Sequence, residues 1–196
     1  SAPLPPEIHR QFEKRFSLPI IETMGLTETG AQILSNPLPP KTRKIGSPGI
    51  GYGNEIMIAD NNQNPLAAHE EGEILVRGSN VMQGYLDRPE ETAKTITADG
   101  WLHTGDLGRM DEDGFVFVTG RIKELIIKGG ENIAPREVDE ALLEHDAVLE
   151  AAAFARPCQD YGQRVEACVR LKDGRTVSEN DLREFCKNLL GAYKTP

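Results

Sequence analysis

The sequence has 196 residues, of which 38% are hydrophobic and 27% charged, and its formal net charge is −9 at pH 7. This composition is that of an ordinary globular protein with enough apolar residues to bury a core. The acidic balance argues against nucleic acid and anionic membrane surfaces as partners, because neither would attract the chain electrostatically. No apolar run is long enough to cross a bilayer, so no transmembrane segment is predicted.

The first predicted element is an amphipathic helix, roughly Pro6 to Phe16, that follows a proline-rich entry. Its apolar residues recur at helical spacing, and Pro6 suits a first helical turn. The next stretch, SLPIIETMG, predicts a short buried strand that delivers a glycine turn, MGLTETG, from Met24 to Gly30. A strand that ends in a glycine turn bearing polar side chains is typical of an α/β ligand site.

This glycine turn presents a hydroxyl and a carboxylate side by side. Thr27 can donate a hydrogen bond to a phosphate oxygen, and Glu28 can hold the Mg²⁺ that accompanies ATP. The alternative for Glu28 is a solvated carboxylate on a turn.

From Ile45 onward, short strands predict a small, mostly antiparallel β-subdomain. Its elements are strands at Asn54–Ala59 and Glu73–Arg77, a helix at Pro89–Ile96, and a hairpin of Leu107–Asp111 with Phe115–Thr119. The HTGD stretch places Asp106 on a glycine turn before a strand, where its two oxygens can accept from a vicinal diol such as that of ribose. The alternative is an Asp that caps a turn. Tyr85 and Trp101 are most simply packing aromatics.

The pattern changes after Gly120, which predicts a domain boundary at 120–124. The elements that follow are a strand at Leu125–Ile127, a helix at Pro135–His145, strands at Leu149–Ala155 and Arg164–Leu171, and a last helix from the Ser178 N-cap to Gly191. The core stripe of that last helix is predicted at Leu182, Phe185, Cys186 and Leu189. The pair Gly129-Gly130 has no side chains to block a close backbone approach. Lys128 and Arg136 flank the pair and could attract a phosphate-bearing ligand.

The three cysteines, Cys158, Cys168 and Cys186, have no C-x-x-C spacing and are odd in number. We therefore expect free thiols in a reducing compartment, the cytoplasm, rather than disulfides or a metal site.

Four segments together carry a resemblance. In chain order they are GLTE at 25–28, GEILVRGSNVMQGYL at 72–86, GWLHTGDLG at 100–108 and GRIKELIIKGGENI at 120–133. They resemble the signatures of the adenylate-forming, or AMP-binding, superfamily, which includes acyl-CoA synthetases, luciferases and peptide-synthetase adenylation domains. The resemblance covers essentially the whole chain.

The resemblance implies a fold of the α/β (α+β) class in three parts. Residues 1–119 would be the end of the large domain with a small antiparallel, β-barrel-like subdomain. Residues 120–124 would be a hinge, and residues 125–196 a small mobile α+β C-terminal domain, truncated. The family's phosphate-binding loop and C-terminal catalytic lysine are expected outside this chain. We therefore expect an excised C-terminal fragment without adenylation activity of its own.

The resemblance also implies a two-step reaction. A carboxylate attacks the α-phosphate of Mg·ATP to give an acyl-adenylate and pyrophosphate, and a thiol, often that of coenzyme A, then attacks the acyl carbon. The implied roles are a contact of Thr27 with the α-phosphate, Glu28 on Mg²⁺, Asp106 and Arg121 on ribose, and Met24 and Gly25 beside adenine or the acyl group. Lys123 is implied as the hinge for domain alternation, and Lys128, Gly129 and Gly130 as the wall of the CoA path. Relatives carry a tyrosine at the Met24 position.

The favoured function is that of a carboxylic acid–CoA ligase, because the run KELIIKGGENIAP is typical of CoA ligases rather than of peptide-synthetase adenylation domains. A fatty acid is the preferred acid class, with fatty acid metabolism as the setting, and an aryl acid or a short dicarboxylate is compatible with the sequence as well. Its partners would be the acid, ATP and CoA, and a homo-oligomer is compatible with the sequence. The alternatives are an acyl-AMP ligase that loads a carrier protein, and a non-catalytic nucleotide-binding module.

Overall fold

A computed structural model describes residues 4–30 and 32–196, so residues 1–3 of the proline-rich entry and Ala31 lie outside the described part. The chain divides after Val118 into two units, called here the N-terminal unit and the C-terminal unit. Each is described by itself. The hinge at 120–124 stays a prediction.

The N-terminal unit contains two helices and two sheets. Its helices are α1 (Pro6–Phe16) and α2 (Pro89–Thr95), and its strands are β1 (Thr23–Gly25), β2 (Gln32–Ser35), β3 (Ile50–Gly51), β4 (Glu55–Ala59), β5 (Gly72–Arg77), β6 (Leu102–Met110) and β7 (Val116–Arg121), the last of which runs through the division. One sheet has the order β1-β2-β3 and the other the order β4-β5-β6-β7. The predicted helices, the two middle strands and the hairpin are confirmed, with small changes in their bounds, whereas β2 and β3 were not predicted.

The two sheets of the N-terminal unit share one core. Ile33 and Leu34 of β2 pack in one buried cluster with Ile58, Ile74, Val76 and Val116 of the other sheet. Among the described residues no sheet closes on itself, so the expected barrel-like form is replaced by an open four-stranded sheet. The small β1-β2-β3 sheet covers the buried face of the four-stranded sheet. The apolar residues of that face are therefore buried without any pairing of β7 with β4.

The prediction of a buried strand in SLPIIETMG, residues 17–25, is wrong in the length and the burial of the strand. Only Thr23–Gly25 is a strand, and Thr23 and Gly25 are exposed. The backbone of Ile20 is occupied by side chains instead: its N–H donates to Glu13 Oε1 at 2.8 Å and its C=O accepts from Arg43 at 2.8 Å. A residue whose backbone groups are bound in this way cannot join a strand ladder.

Helix α1 is confirmed, but its apolar residues are not its buried face. Ile8, Phe12 and Phe16 are 49%, 40% and 53% exposed, whereas His9 is 1% exposed. His9 Nε2 lies 3.1 Å from Glu13 Oε1 on the same helix. A polar cluster around Glu13 therefore holds α1 in this unit.

The C-terminal unit packs two helices on a four-stranded antiparallel sheet of order β10-β11-β8-β9. Its elements are β8 (Ile126–Lys128), β9 (Glu131–Ile133), α3 (Pro135–Leu143), β10 (Val148–Cys158), β11 (Gly162–Leu171) and α4 (Glu179–Leu190). Its buried cluster consists of Ile126, Ile133, Val138, Leu142, Val165 and Cys186. Strand β9 was not predicted; the other elements are confirmed.

Helix α4 begins as the sequence predicts, because the Ser178 hydroxyl accepts the N–H of Asp181. Its core stripe differs at the end: Leu189 is 49% exposed, and Leu190 packs on the core in its place. None of the helices within 4–30 and 32–196 has the length and apolarity needed to cross a membrane.

Candidate functional site

The turn that bears Thr27 and Glu28 is built by its neighbour Thr29. Residues Thr27–Thr29 form a single turn of 3₁₀ helix, which Gly30 ends with a φ of +63°. The Thr29 side chain is fully buried, and its hydroxyl donates to the Leu26 C=O at 2.9 Å and accepts the Leu26 N–H at 3.3 Å. The backbone is thus fixed from inside, while Thr27 is exposed and Glu28 half-buried.

Glu28 is fixed at its backbone and at its carboxylate. The Met82 N–H donates to the Glu28 C=O at 2.8 Å, and the Tyr85 hydroxyl donates to Glu28 Oε1 at 2.8 Å. This carboxylate, together with burial, raises the pKa of Tyr85 above its ordinary value of 10.0, so the hydroxyl stays a hydrogen-bond donor to a higher pH than a free tyrosine would. Tyr85 is therefore more than the packing aromatic that the sequence suggested.

Two polar groups of this turn lack a partner among the residues that the structure describes: Glu28 Oε2 and the Thr27 hydroxyl. Within the same residues, no group of three or more His, Cys, Asp and Glu side chains could hold a metal ion. A single carboxylate suits Mg²⁺ that arrives bound to nucleotide phosphates and keeps several waters. The Glu28 carboxylate therefore fits a magnesium ion that arrives with a nucleotide.

Asp106 lies inside strand β6 and not on a turn before a strand, which corrects the sequence prediction. Gly105, just before it, has a φ of +73°, and the pairing of β6 with β5 shifts register between Glu73 and Leu75. These are the marks of a bulge, in which one strand bends while the ladder continues on both sides. The Asp106 side chain is 6% exposed.

The bulge is braced by side chains that the sequence alone did not single out. Glu73 on β5 accepts the Gly105 N–H at 3.0 Å with one oxygen and lies 2.8 Å from His103 Nδ1 with the other. The Thr104 hydroxyl accepts the Asp106 N–H at 3.1 Å and donates across to β5. Asp106 therefore sits on a backbone that is held from both sides.

Four other predicted residues are placed as follows. Met24 is half-buried and packs against the core of the N-terminal unit. Arg121 ends β7, and Lys123 lies in the following 3₁₀ turn, Ile122–Glu124; both side chains are exposed. Gly25, at the end of β1, is exposed as well. Their predicted roles stay predictions.

Gly129 and Gly130 form the turn of the β8–β9 hairpin, with φ values of +55° and +90°. Two successive positive φ values are what a two-residue hairpin turn requires and what glycine provides. The Gly129 N–H donates to the Tyr161 C=O at 2.8 Å, and a Cβ added at Gly129 would lie 2.8 Å from the Tyr193 hydroxyl. Tyr161 and Tyr193 thus fix a loop whose outer side is open to solvent.

The two charges expected to flank this loop have local partners. Lys128 Nζ donates to the Tyr193 C=O and lies 4.8 Å from the centre of the Tyr193 ring. Arg136 Nε bonds Glu140 Oε1 at 2.7 Å along α3. An open cavity of about 880 Å³ adjoins Lys128 and is bounded by β11 and α4. Two of its basic residues, Arg156 and Arg164, are both paired with Glu166.

Comparison with known proteins gives a consistent result. The family described as "AMP-binding enzyme" matches residues 1–86, and the "AMP-binding enzyme C-terminal domain" matches residues 137–196. Over 196 residues the chain is 51% identical to a sulfoacetate–CoA ligase of Cupriavidus necator, covering 100% of this chain and 38% of that protein. It is 41% identical over 197 residues to an oxalate–CoA ligase of Arabidopsis thaliana, again covering 100% of this chain and 38% of the relative.

Among solved structures, the ATP-bound MatB from Rhodopseudomonas palustris superposes with a TM-score of 0.94 at 34% identity, covering 100% of this chain and 39% of that one. The chain therefore spans less than two fifths of the length of the curated relatives named here.

Proposed function

The chain belongs to the AMP-binding enzyme family, and from this premise we propose that it is part of an acid–thiol ligase that makes acyl-CoA from a carboxylic acid, ATP and coenzyme A. The reaction would pass through an acyl-adenylate. The observation that carries the proposal is the Thr27–Glu28 turn, where a hydroxyl and a carboxylate oxygen stand side by side without partners among the described residues, on a backbone that Thr29 and Met82 fix.

The N-terminal unit would bind the nucleotide. The Thr27 hydroxyl would donate to the α-phosphate, and Glu28 would hold the Mg²⁺ that accompanies ATP and offsets the phosphate charge. Asp106 would accept hydrogen bonds from the two ribose hydroxyls, and Arg121, at the end of β7 and beyond the division of the chain, would assist. Met24 and Gly25 would lie against adenine or the acyl group; a thioether can cover a ring face where a tyrosine is missing. Because hydrogen bonds hold the Glu28 carboxylate and the backbone of Asp106, these two residues would lose little conformational freedom on binding.

The C-terminal unit would serve the second half-reaction. Lys123, exposed in a short 3₁₀ turn, is proposed as the hinge residue whose backbone changes between the two half-reactions. The loop at Gly129-Gly130 would line the path of the pantetheine arm, because its outer side is open: no described atom lies within 4 Å of the place that a Cβ at Gly130 would take. Lys128 would lie beside it. We also propose a cytoplasmic location, which the three unpaired thiols support.

The acid is proposed at the level of a class. Sulfoacetate and oxalate, in the names of the two relatives, are short acids with two anionic groups, whereas the sequence resemblance led us to expect a fatty acid. Both kinds of acid belong in the test.

The test is pyrophosphate release and acyl-CoA formation by the longer protein that contains this chain, on a panel of sulfoacetate, oxalate, an aryl acid and a long-chain fatty acid. We expect release with one acid class and thioester formation with CoA. The Asp106→Ala variant should lose about 10- to 100-fold in kcat/KM, since it removes hydrogen bonds to a charged acceptor. Asp173→Ala, on an exposed turn, is the matched control and should keep full activity.

Three results would change the assignment. Pyrophosphate release with transfer to a carrier-protein thiol but not to CoA would favour an acyl-AMP ligase. AMP binding without turnover on the whole panel would favour a nucleotide-binding module. Full activity in Asp106→Ala would contradict the proposed ribose contact.

A further inference from the structure

Tyr85 contacts Glu28 across 57 positions of the sequence. Its hydroxyl donates to Oε1 of the carboxylate at 2.8 Å, and three residues earlier the N–H of Met82 donates to the Glu28 C=O at 2.8 Å. One short segment after β5 therefore fixes both the backbone and the side chain of Glu28. The other carboxylate oxygen, Oε2, has no hydrogen-bond partner among residues 4–30 and 32–196.

Tyr85 is in turn held by helix α2. Its N–H donates to the Thr92 hydroxyl at 2.9 Å, and that hydroxyl donates to the Arg88 C=O at 2.8 Å. The preceding residue, Gly84, packs so closely that an added Cβ would lie 2.7 Å from Thr92 Cγ2. The backbone under the Tyr85 ring is thus set by α2, and the hydroxyl has a fixed place from which to hold Glu28.

We propose that Tyr85 is a positioning residue that binds one oxygen of the Glu28 carboxylate so that the other faces the magnesium ion of Mg·ATP. The inference rests on the proposed function, because it assumes that Glu28 meets that metal. Mg²⁺ demands near-ideal octahedral geometry, so a ligand held in one orientation serves it better than a free side chain. Ligating carboxylates are usually hydrogen-bonded in this way, and loss of such a partner typically lowers metal affinity 10- to 100-fold.

The test is calorimetric titration of ATP into the longer protein at a series of Mg²⁺ concentrations. In Tyr85→Phe we expect the Mg²⁺ concentration for half-maximal tight ATP binding to rise about tenfold, while the affinity for metal-free ATP stays as in the wild type. Tyr52→Phe is the matched control, because Tyr52 is 62% exposed and its hydroxyl has no partner in the described part of the chain. It should behave as the wild type.

A double-mutant cycle separates positioning from a general loss of structure. In a Glu28→Gln background, Tyr85→Phe should cause no further rise in the Mg²⁺ requirement, because the ligand it positions is already lost. If Tyr85→Phe does not fold, judged by near-ultraviolet circular dichroism, Thr92→Val replaces it. That variant removes the acceptor of the Tyr85 N–H and should raise the Mg²⁺ requirement by a smaller factor.

An unchanged or lower Mg²⁺ requirement in Tyr85→Phe, or in Thr92→Val where it serves as the substitute, would overturn the positioning role. A lower requirement would mean that the hydroxyl competes with the metal for Glu28. If the wild-type protein binds ATP with no Mg²⁺ dependence, the proposed magnesium role of Glu28 fails, and the role of Tyr85 fails with it. The two failures can be told apart. If the wild type depends on Mg²⁺ and the variant has the same Mg²⁺ requirement, only the role of Tyr85 fails.

Discussion

The polar cluster around Glu13 should make the stability of the N-terminal unit depend on acid pH. Arg43 donates to Glu13 Oε1 at 2.7 Å and the Ile20 N–H donates to the same oxygen at 2.8 Å. The hydrogen bond from Arg43, followed by that from Ile20, lowers the pKa of Glu13 from 4.5 to about 2. A displacement of that size corresponds to at most about 3.5 kcal/mol, since one pKa unit is worth about 1.4 kcal/mol.

The sign follows from the direction of the pKa change. A carboxyl whose pKa is lower in the folded state contributes stability above its unfolded pKa, and that stability is lost as pH falls through the folded pKa. The contribution is therefore complete above about pH 5 and declines towards pH 2. Because the Glu13 side chain is 23% exposed, water screens the pair, and we expect about 2 kcal/mol rather than the full value.

The assay is urea unfolding of the wild type and Glu13→Gln, followed by tryptophan fluorescence. Trp101 is the single tryptophan and lies in the N-terminal unit, so its signal reports on that unit. At pH 7 the variant should be about 2 kcal/mol less stable, and by pH 3 the difference should fall to less than half. Glu7→Gln, on the exposed side of the same helix, should change stability by less than about 0.5 kcal/mol. A difference that stays constant from pH 7 to pH 3 would refute the reasoning.

Three further outcomes are expected in the C-terminal unit. Gly129→Ala should destabilise this unit by about 1–3 kcal/mol in thermal unfolding, because the residue has a positive φ and the new Cβ would lie 2.8 Å from the Tyr193 hydroxyl. An unchanged melting curve would show that the hairpin turn differs from the one described. Cys168 is exposed whereas Cys186 is buried, and burial raises the pKa of the Cys186 thiol. A maleimide should therefore label Cys168 before Cys186, as followed by mass spectrometry. Equal labelling rates at the two thiols would contradict the packing of α4. Ser178→Ala should cost about 1 kcal/mol in urea unfolding through loss of the N-cap, and Ser178→Asp should restore most of it.

Features specified by neighbouring residues could be predicted from the sequence. The N-cap of α4 depends on Ser178 and Asp181, three positions apart, and the predicted helix start is confirmed. The starts of α1 and α3 likewise follow from Pro6 and Pro135 at their first turns. The strands at β4, β5 and β11 show the alternation or the apolar run that such elements require.

Features that depend on distant residues could not be predicted. Ile20 was expected in a strand, but Arg43, 23 positions away, occupies its carbonyl. The hydrogen bond from Tyr85 to Glu28 could not be predicted either, because neither the residues around Glu28 nor those around Tyr85 indicate that the two side chains meet. The short strand β2 carries too few residues to show a period, and Glu73, which braces the Asp106 bulge, looks like any polar residue at a strand start.

The central claim is that this chain helps to form an acyl-adenylate before any thiol takes part. Acid-dependent exchange of labelled pyrophosphate into ATP by the longer protein, measured without CoA, tests it most directly. We predict exchange in the wild type and in Asp173→Ala, and a loss of about 10- to 100-fold in Asp106→Ala. Exchange that requires CoA, or exchange that Asp106→Ala leaves intact, would contradict the account.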